Sequence, residues 1–313
     1  MPSRRQALAL LSAAALVRPA QAARPLTYDL TPVAVGDGVW MIEGVRDYFS
    51  MENGGAIVNI ALVQGDTGII VVDTGSSLRY GEALKAVVEG LDFRGVSAVV
   101  NTHHHPDHFF GNQVFADVPL YALGETISAM QADADAFADN MYRLLGDWMR
   151  GTEPVIPRNV LMGGGVVLDG RSFTTLPLAG HTTADLALLD SQTGTLITGD
   201  LVFHDRAPTT PHADLAVWQE ALGTLEQAQA ASILPGHGPL DRTGAALAQT
   251  RAYLLWLDDT LRTAAATGLD MVEIMQAPLP AEYAAMGAQP QEFERSVAHL
   301  FPGIEREVLP RAN

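Results

Sequence analysis

The segment Asn101–Asn112, NTHHHPDHFFGN, holds four of the nine histidines of this chain within six positions, with an aspartate beside the last. It directly follows VSAVVNT, a valine-rich run that is typical of a β-strand. So many histidines close together are unfavourable in an apolar core, because each buried imidazole needs hydrogen-bond partners. A polar turn after the strand is the ordinary alternative. The density instead indicates a metal-binding turn, and the fold must then bring further ligands to the same place.

The order of predicted elements divides the chain into two similar blocks. Short apolar runs bounded by turn residues predict strands, and apolar residues at helical spacing predict helices. The first block has strands at 38–44, 56–64, 67–73, 96–102 and 118–123 and helices at 77–91 and 124–150. The second has strands at 164–170, 173–180, 184–190, 194–200 and 231–238, a helix at 213–229 and a helical pattern from 241 onward. This order predicts an α/β fold with two sheets back to back and helices outside.

Residues 1–22 have the features of a removable signal peptide: a basic start, a short apolar stretch and AQA at 20–22 as a cleavage site. The apolar stretch is too short to span a bilayer. The sequence SRR near the start also suggests export by the twin-arginine route. We therefore expect a periplasmic protein whose residues 23–313 form a single domain, with 241–313 as its helical C-terminal part.

The composition excludes several classes of partner and site. The formal net charge is −17, and three of the 19 basic residues fall within the predicted signal peptide. A chain with no basic patch to neutralise phosphates is not expected to bind nucleic acid. No second apolar run is long enough to predict a membrane span in the mature form. Cysteine is absent, which excludes disulfides, thiolate ligands and cysteine nucleophiles.

The spacing within the histidine cluster predicts two adjacent metal ions. In an extended segment alternate side chains point the same way, so His103 and His105 can share one metal. Asp107 is the next alternate residue and lies on the same side. The proline before Asp107 favours a turn or a helix start, which lets His108 face the same cavity from another angle. Asp107 and His108 are therefore candidates for a second metal. His104 has the opposite parity, and we assign it a supporting role.

Further candidate ligands follow later apolar runs. His181, Asp200 and His237 each lie just past an apolar run, at or after the end of a predicted strand, and beside a glycine, which allows the backbone to bend or approach closely. Three such junctions together with the cluster favour one shared site. The remaining histidines lack this setting and are interpreted as ordinary surface or packing residues: His204, His212 and His299.

The pattern H-x-H-x-D-H, the later strand-end ligands and VVDTG upstream together resemble the metallo-β-lactamase superfamily over Asp73–His237. The resemblance implies an αββα four-layer sandwich, here with a helical C-terminal extension. It also implies a ligand set, in which one metal takes His103, His105 and His181, the other takes Asp107, His108 and His237, and Asp200 bridges the two. Asp73 matches a family aspartate that supports the cluster without binding metal.

Further features of the sequence narrow the choice among the branches of this superfamily. A histidine stands at 105 where flavodiiron proteins carry an acid, lactamases with a cysteine ligand are excluded, and other lactamases lack the bridging acid that Asp200 supplies. The Asp200 pattern is closer to glyoxalase II and lactonase-like branches. Glyoxalase II, however, uses basic residues, lysine among them, to hold glutathione near its helical C-terminus, and Lys85, far upstream, is the only lysine here. Together with the predicted signal peptide, residues 51–75, 199–210 and 293–307 most resemble periplasmic zinc metallohydrolases of the SoxH-like and quinoprotein-associated group. That resemblance implies a periplasmic quinoprotein as a partner.

Histidine and carboxylate ligands suit zinc, with iron and manganese as alternatives, and we expect two zinc ions. Two dications, two carboxylates and one hydroxide leave a site charge of about +1, which stabilises an oxyanion. We expect a zinc-bound hydroxide, oriented by Asp107 as the catalytic residue, to attack an ester, thioester, lactone or amide. The acidic surface favours a neutral or modestly charged small-molecule substrate.

Two other readings stay open at this point. One is a non-catalytic accessory or cofactor-binding protein for a periplasmic quinoprotein or sulfur-oxidation system, and the other is a glyoxalase II-like thioesterase or a β-lactamase. The candidate pocket walls are Tyr48, Met51, Phe109, Phe110 and the loop 203–211.

Overall fold

The computed structural model describes residues 26–91 and 94–309. The predicted signal peptide therefore lies outside the described residues. Within them, the strands form two sheets, one of seven strands and one of five. No helix in the described part of the chain is long and apolar enough to cross a membrane.

The strands of the first sheet lie side by side in chain order, β1-β2-β3-β4-β5-β6-β7. Its strands are β1 (Pro32–Gly36), β2 (Val39–Ile42), β3 (Ile60–Gln64), β4 (Ile69–Val72), β5 (Val96–Val100), β6 (Leu120–Leu123) and β7 (Asn159–Leu161). Pairing is antiparallel from β1 to β4 and parallel from β4 to β7. The parallel strands β4, β5 and β6 end at the same edge of the sheet, which is where the histidine cluster begins.

The second sheet has the order β12-β11-β10-β9-β8. Its strands are β8 (Gly164–Leu168), β9 (Arg171–Leu178), β10 (Asp185–Asp190), β11 (Thr195–Phe203) and β12 (Ser232–His237). Only the β11–β12 pair is parallel, and the other pairs are antiparallel. The end of β9, the start of β10 and the end of β12 therefore lie at one edge.

The described helices connect and cover these strands. They are α1 (Leu78–Gly90), α2 (Pro106–Phe109), α3 (Gly124–Leu145), α4 (Leu215–Gln227), α5 (Ala245–Thr267), α6 (Met271–Gln276), α7 (Ala281–Ala284) and α8 (Gln291–Val308). Short 3₁₀ turns follow α2 at Phe110–Phe115 and α3 at Gly146–Met149. The helical C-terminal part predicted from residue 241 onward corresponds to α5–α8.

The strands are apolar on both faces because each sheet is covered on both sides. In β4, for example, Ile70 and Val72 pack in a core shared with the second sheet, whereas Ile69 and Val71 pack against α1. The outer face of the second sheet packs in a separate core with α4, α5 and α8. This arrangement of helix, sheet, sheet and helix confirms the predicted four-layer sandwich.

Two strands were not predicted, and one predicted strand starts late. The edge strand β1 is largely exposed, and β7 is only three residues long, so neither produces a clear apolar run. The run predicted at 56–64 forms a strand only from Ile60. Gly54 and Gly55 have positive φ, and the turn they form continues to residue 58.

Candidate metal centre

Polar side chains from four parts of the chain meet at one end of the two sheets. The turn after β5 carries the histidine cluster, and His105 precedes α2 with an extended backbone. His181 lies past the end of β9, and His237 is the last residue of β12. The structure brings all seven predicted ligands together, each of them buried: His103, His105, Asp107, His108, His181, Asp200 and His237.

Asp200 does not lie at the end of a strand as expected, because β11 continues to Phe203. The pairing of β11 with β12 is irregular between Gly199 and Phe203, and Gly199 has a φ of 51°. Gly236 on the neighbouring strand lies so close that a Cβ there would overlap Asp200 Oδ1. The irregular pairing and the two glycines allow the carboxylate to enter the site from within a strand.

Three imidazoles form the first group of potential ligands. His105 Nδ1 lies 3.0 Å from His103 Nε2 and 2.9 Å from His181 Nε2. Two nitrogen ligands of a tetrahedral zinc ion are about 3.3 Å apart, since each Zn–N bond is about 2.0–2.1 Å. The three nitrogens therefore converge at close to the spacing that one ion requires.

Asp107, His108 and His237 form the second group. Asp107 Oδ2 lies 3.7 Å from His108 Nε2 and 3.5 Å from His237 Nε2. Asp200 lies between the groups: its Oδ1 is 3.2 Å from the Nε2 atoms of both His108 and His237. Its Oδ2 is 3.4 Å from His181 Nε2 in the first group. One carboxylate thus presents one oxygen to each group.

Several buried polar atoms here lack a hydrogen bond. His108 Nε2 and Asp200 Oδ1 are both buried, and neither makes one despite their short separation. Buried polar atoms without a partner are rare in folded proteins. A cation between them would satisfy both atoms, and the donor set of imidazoles and carboxylates suits zinc, iron or manganese. The residues present therefore fit a pair of divalent ions.

Fixed hydrogen bonds orient the imidazoles of the second group. His237 Nδ1 lies 2.7 Å from the carbonyl oxygen of Ile57, which can only accept, so the proton is on Nδ1 and the Nε2 lone pair faces the cluster. His108 Nδ1 lies 2.7 Å from Asp73 Oδ2. The other oxygen of Asp73 accepts from the backbone N–H of Thr102 at 2.9 Å. Asp73 thus lies where a supporting residue is expected, behind a ligand and not among them.

The two groups differ in their electrostatics. Burial lowers the pKa of His103 and His105 well below the usual range and lowers the pKa of His181 to about 3. Burial also disfavours charge on His108, but Asp200 and two further aspartates outweigh it and raise the pKa of His108 well above its usual value. Burial raises the pKa of Asp200, yet the histidines that face it hold that pKa well below the ordinary value. The first group and Asp200 therefore already have the neutral imidazoles and ionised carboxylate that bind metal, whereas His108 must release a proton when metal binds.

His104 and His212 lie beside the first group. His104 is buried, with its Nε2 3.7 Å from Asp133 Oδ2, and burial together with the nearby His212 lowers its pKa to about 4. His212 Nδ1 lies 2.8 Å from His105 Nε2. From the sequence, His212 was expected to be an ordinary surface or packing residue, but it lies against a predicted ligand. The sequence did carry one indication of this position, because His212 directly follows the loop 203–211, which was expected to line the pocket.

A cleft opens over the two groups. Its apolar side is lined by Phe49, Phe137, Met141 and Leu144, and Tyr48 lines it as expected. The other expected walls differ: Phe109 and Phe110 pack in an apolar cluster beneath α3, and Met51 is exposed. Phe203 stacks on the ring of His237, with centroids 5.2 Å apart, and so supports a predicted ligand from behind.

Two arginines also line the cleft: Arg206 belongs to the loop 203–211 that was expected to form a wall, whereas Arg295 was not anticipated. Arg206 is buried, and its Nη2 donates to Glu292 Oε1 at 3.0 Å, while Thr209 donates to the same oxygen at 2.7 Å. Arg295 is half-buried, lies 3.7 Å from Glu292 Oε2 and covers the ring of Tyr48 at 5.9 Å. Two cations and one anion leave a net positive charge beside the metal groups. These contacts join residues far apart in the chain, so no local pattern reveals them.

The family model described as the metallo-beta-lactamase superfamily matches residues 53–237, which is more than half of the chain. The chain belongs to this superfamily. The matched region begins before β3 and ends at His237, so it contains all seven predicted ligands.

Individual members of the superfamily are similar over larger parts of the chain. The acyl-coenzyme A thioesterase MBLAC2 of Gallus gallus is 28% identical over 232 residues, which are 65% of this chain and 78% of that protein. A beta-lactamase domain protein from Burkholderia ambifaria has a TM-score of 0.63 and 22% identity, with 93% of this chain and 92% of that one covered. A metallo-beta-lactamase from Pontibacter korlensis has a TM-score of 0.59 and 22% identity and covers 72% of this chain and 99% of its own. The two structures establish the fold alone.

Proposed function

We propose that this superfamily member is an exported, dinuclear zinc hydrolase that cleaves a small acyl thioester. The observation that carries the proposal is the placement of Asp200, whose two oxygens face two separate groups of ligand atoms. A site for one ion needs no such carboxylate. Membership of a hydrolase superfamily and similarity to a protein named as an acyl-coenzyme A thioesterase support the reaction class.

The proposed ligands follow the two groups. The first ion would be held by His103, His105 and His181, the second by Asp107, His108 and His237, and Asp200 would face both. When bound, two divalent ions supply Lewis acidity to the substrate carbonyl and lower the pKa of water. The charge of about +1 expected for the loaded site also stabilises an oxyanion.

The chain's own groups position the reactants. Asp107 lines the cleft, and its carboxylate orients the attacking water by accepting a hydrogen bond. Phe137, Met141 and Leu144 form an apolar wall that excludes water and suits a short acyl group. On the other side, Arg295 suits a substrate with a modest negative charge. A thioester of a polar thiol combines an apolar acyl part with a polar or charged leaving group.

A substrate panel tests this function. The zinc-loaded protein is assayed with acetyl and butyryl thioesters, p-nitrophenyl esters, lactones and a chromogenic β-lactam. We expect the thioesters to give the highest kcat/KM, and we expect Asp107→Ala, which removes a proposed ligand of the second ion, to abolish turnover and lower the zinc content. Turnover of a β-lactam or lactone in preference to every thioester would contradict the proposed substrate. Silence across the panel in protein that holds two metals would favour a non-catalytic accessory role.

Export to the periplasm and a quinoprotein partner stay sequence predictions. Cell fractionation tests the first: the protein is expected in the periplasmic fraction, shortened by residues 1–22. Retention of those residues in cytoplasmic protein would contradict it.

A further inference from the structure

His212 provides the outer hydrogen-bond partner of the imidazole at the centre of the first metal group. His105 is the residue whose Nδ1 approaches both His103 Nε2 and His181 Nε2. Its other nitrogen, Nε2, points away from the group and lies 2.8 Å from His212 Nδ1. We propose that His212 is a positioning residue that fixes the tautomer and orientation of His105 for metal binding.

The proton positions follow from the ring geometry. A neutral imidazole carries one proton, and the nitrogen that binds a metal must be the other one. Because Nδ1 of His105 faces the group, its proton is on Nε2. Nε2–H then donates to His212 Nδ1, and His212 in turn carries its proton on its own Nε2. The contact therefore selects the tautomer of His105 that presents Nδ1 to the ion, as outer partners of metal-bound histidines generally do.

The partner of His105 is unlike those of His108 and His237. His108 and His237 are oriented by a buried carboxylate and a backbone carbonyl within the sandwich. His212 is exposed and belongs to the segment between β11 and α4. Without it, the only remaining partner for His105 Nε2 in the described structure is solvent in the cleft. The orientation of a central ligand thus depends on a surface loop.

Buried contacts hold that loop in place on both sides of His212. Before it, Thr210 Oγ1 lies 2.7 Å from Ser296 Oγ on α8. After it, the backbone N–H of Asp214 donates to the carbonyl of Gly180 at 2.9 Å. Arg206 and Thr209 further anchor the loop to α8 through Glu292. The acceptor is therefore already ordered before metal binds, which reduces the entropy cost of fixing His105.

A separate ion held by His104, His105 and His212 is the competing interpretation, because their ligand atoms also lie close together. That ion would have to take His105 through Nε2. The Nδ1 atom of the same ring already faces His103 and His181, so His105 would have to lose both protons and bridge two cations. His104 Nε2 instead faces the carboxylate of Asp133. The geometry therefore favours a hydrogen bond at His212 over a third metal.

Metal affinity measures this role without any substrate. Zinc affinity and stoichiometry are determined by competition with a chromophoric chelator for the unaltered protein, His212→Leu and His212→Asn. Leucine removes the acceptor, whereas the asparagine side-chain oxygen restores one near the position of Nδ1. We expect His212→Leu to weaken one of two zinc ions by about 10- to 100-fold and His212→Asn to recover most of that loss. His299→Leu, which removes another exposed histidine, is the matched control and is expected to change neither ion.

The outcomes separate this proposal from the proposed function on which its two-metal site rests. Two ions bound by His212→Leu as tightly as by the unaltered protein would overturn the role of His212 alone. Loss of a third zinc equivalent in that variant would overturn it in favour of the separate ion. Failure of the unaltered protein to bind zinc would overturn both. Equal melting temperatures of the metal-free variants would show that the affinity change does not come from unfolding.

Discussion

Two clusters of buried charge lie at opposite ends of β9 and β10, and they differ in how their polar atoms are satisfied. At one end, Arg171 donates from Nε and Nη2 to the two carboxylate oxygens of Asp190, each at 2.7 Å. Its Nη2 also donates to the carbonyl of Asp37 at 3.1 Å. At the other end, Asp200 Oδ1 and His108 Nε2 are buried without a hydrogen bond. The first cluster is satisfied within the protein, whereas the second leaves buried atoms that a cation would satisfy.

This difference separates structural from functional burial of charge. A buried ion pair with all its hydrogen bonds made is stable as it stands, and removal of one partner leaves an uncompensated charge. A buried group without its partner needs an explanation, and binding of an ion is one. Changes at the metal centre should therefore alter metal content first. Changes at Arg171 or Asp190 should alter the free energy of unfolding and leave metal content unchanged.

The largest effect is expected for His105→Ala. This change removes the nitrogen that approaches both His103 and His181, and the first group then keeps too few ligands for a closed site. Because bound metal contributes several kcal/mol to catalysis, activity should fall by at least about a thousandfold. Elemental analysis and an assay on the same sample measure both. Full activity without metal would contradict the assignment.

Asp200→Asn is expected to remove one metal and keep the other. Asparagine preserves the shape but removes the negative charge that faces both groups. The first ion keeps three histidines, which suffice for zinc, whereas the second faces a neighbour whose charge is no longer offset. We expect about one zinc per chain by calorimetric titration. Two equally tight ions with a lower melting temperature would show that Asp200 stabilises the fold without bridging.

The third effect is one of stability alone. Asp190→Ala leaves the buried guanidinium of Arg171 without its partner, and the free energy of unfolding should fall by about 3–5 kcal/mol. Asp258→Ala is the control, because it breaks the exposed pair with Arg262 and should cost below about 1 kcal/mol. Urea unfolding of both variants, together with zinc stoichiometry, gives the comparison. Loss of zinc from Asp190→Ala while the protein is still folded would contradict the separation of the two clusters.

The seven predicted ligands could be found from sequence because local rules place them. A dense polar turn after a valine-rich strand and single polar residues after later apolar runs are both local patterns. Parallel strands end at a common edge, so these patterns also predict proximity. Two sheets packed back to back with helices outside follow from the same periodicities, since strands buried on both faces read as continuous apolar runs, and the family resemblance implied the αββα fold.

The remaining parts of the site depend on distant contacts. His212 lies in a loop whose position is fixed by Glu292 and Ser296, more than eighty residues later in the chain. Arg206 and Arg295 meet through the same glutamate. No periodicity or turn signal connects these segments, because side-chain packing of α8 on the loop brings them together. The residues that line the cleft and lie beside the two groups were for this reason less predictable than the candidate ligands.

The smallest expected effect is on how the free energy of unfolding depends on pH at the Arg171–Asp190 pair. Burial raises the pKa of Asp190, but its hydrogen bonds to Arg171 and Thr193 outweigh this and lower that pKa below the ordinary value. Below about pH 4 the unfolded chain therefore binds more protons at this position than the folded one. The stability that the pair contributes is present above that pH and is lost as the pH falls through the folded pKa.

In Asp190→Asn the titrating group is absent, so between about pH 4 and pH 2 the free energy of unfolding should fall less steeply with decreasing pH than in the unaltered protein. Urea unfolding of both proteins with excess chelator measures the difference without a contribution from metal release. Equal slopes in the two proteins would show that Asp190 titrates at the same pH folded and unfolded, and that Arg171 holds its carboxylate no more strongly than water does.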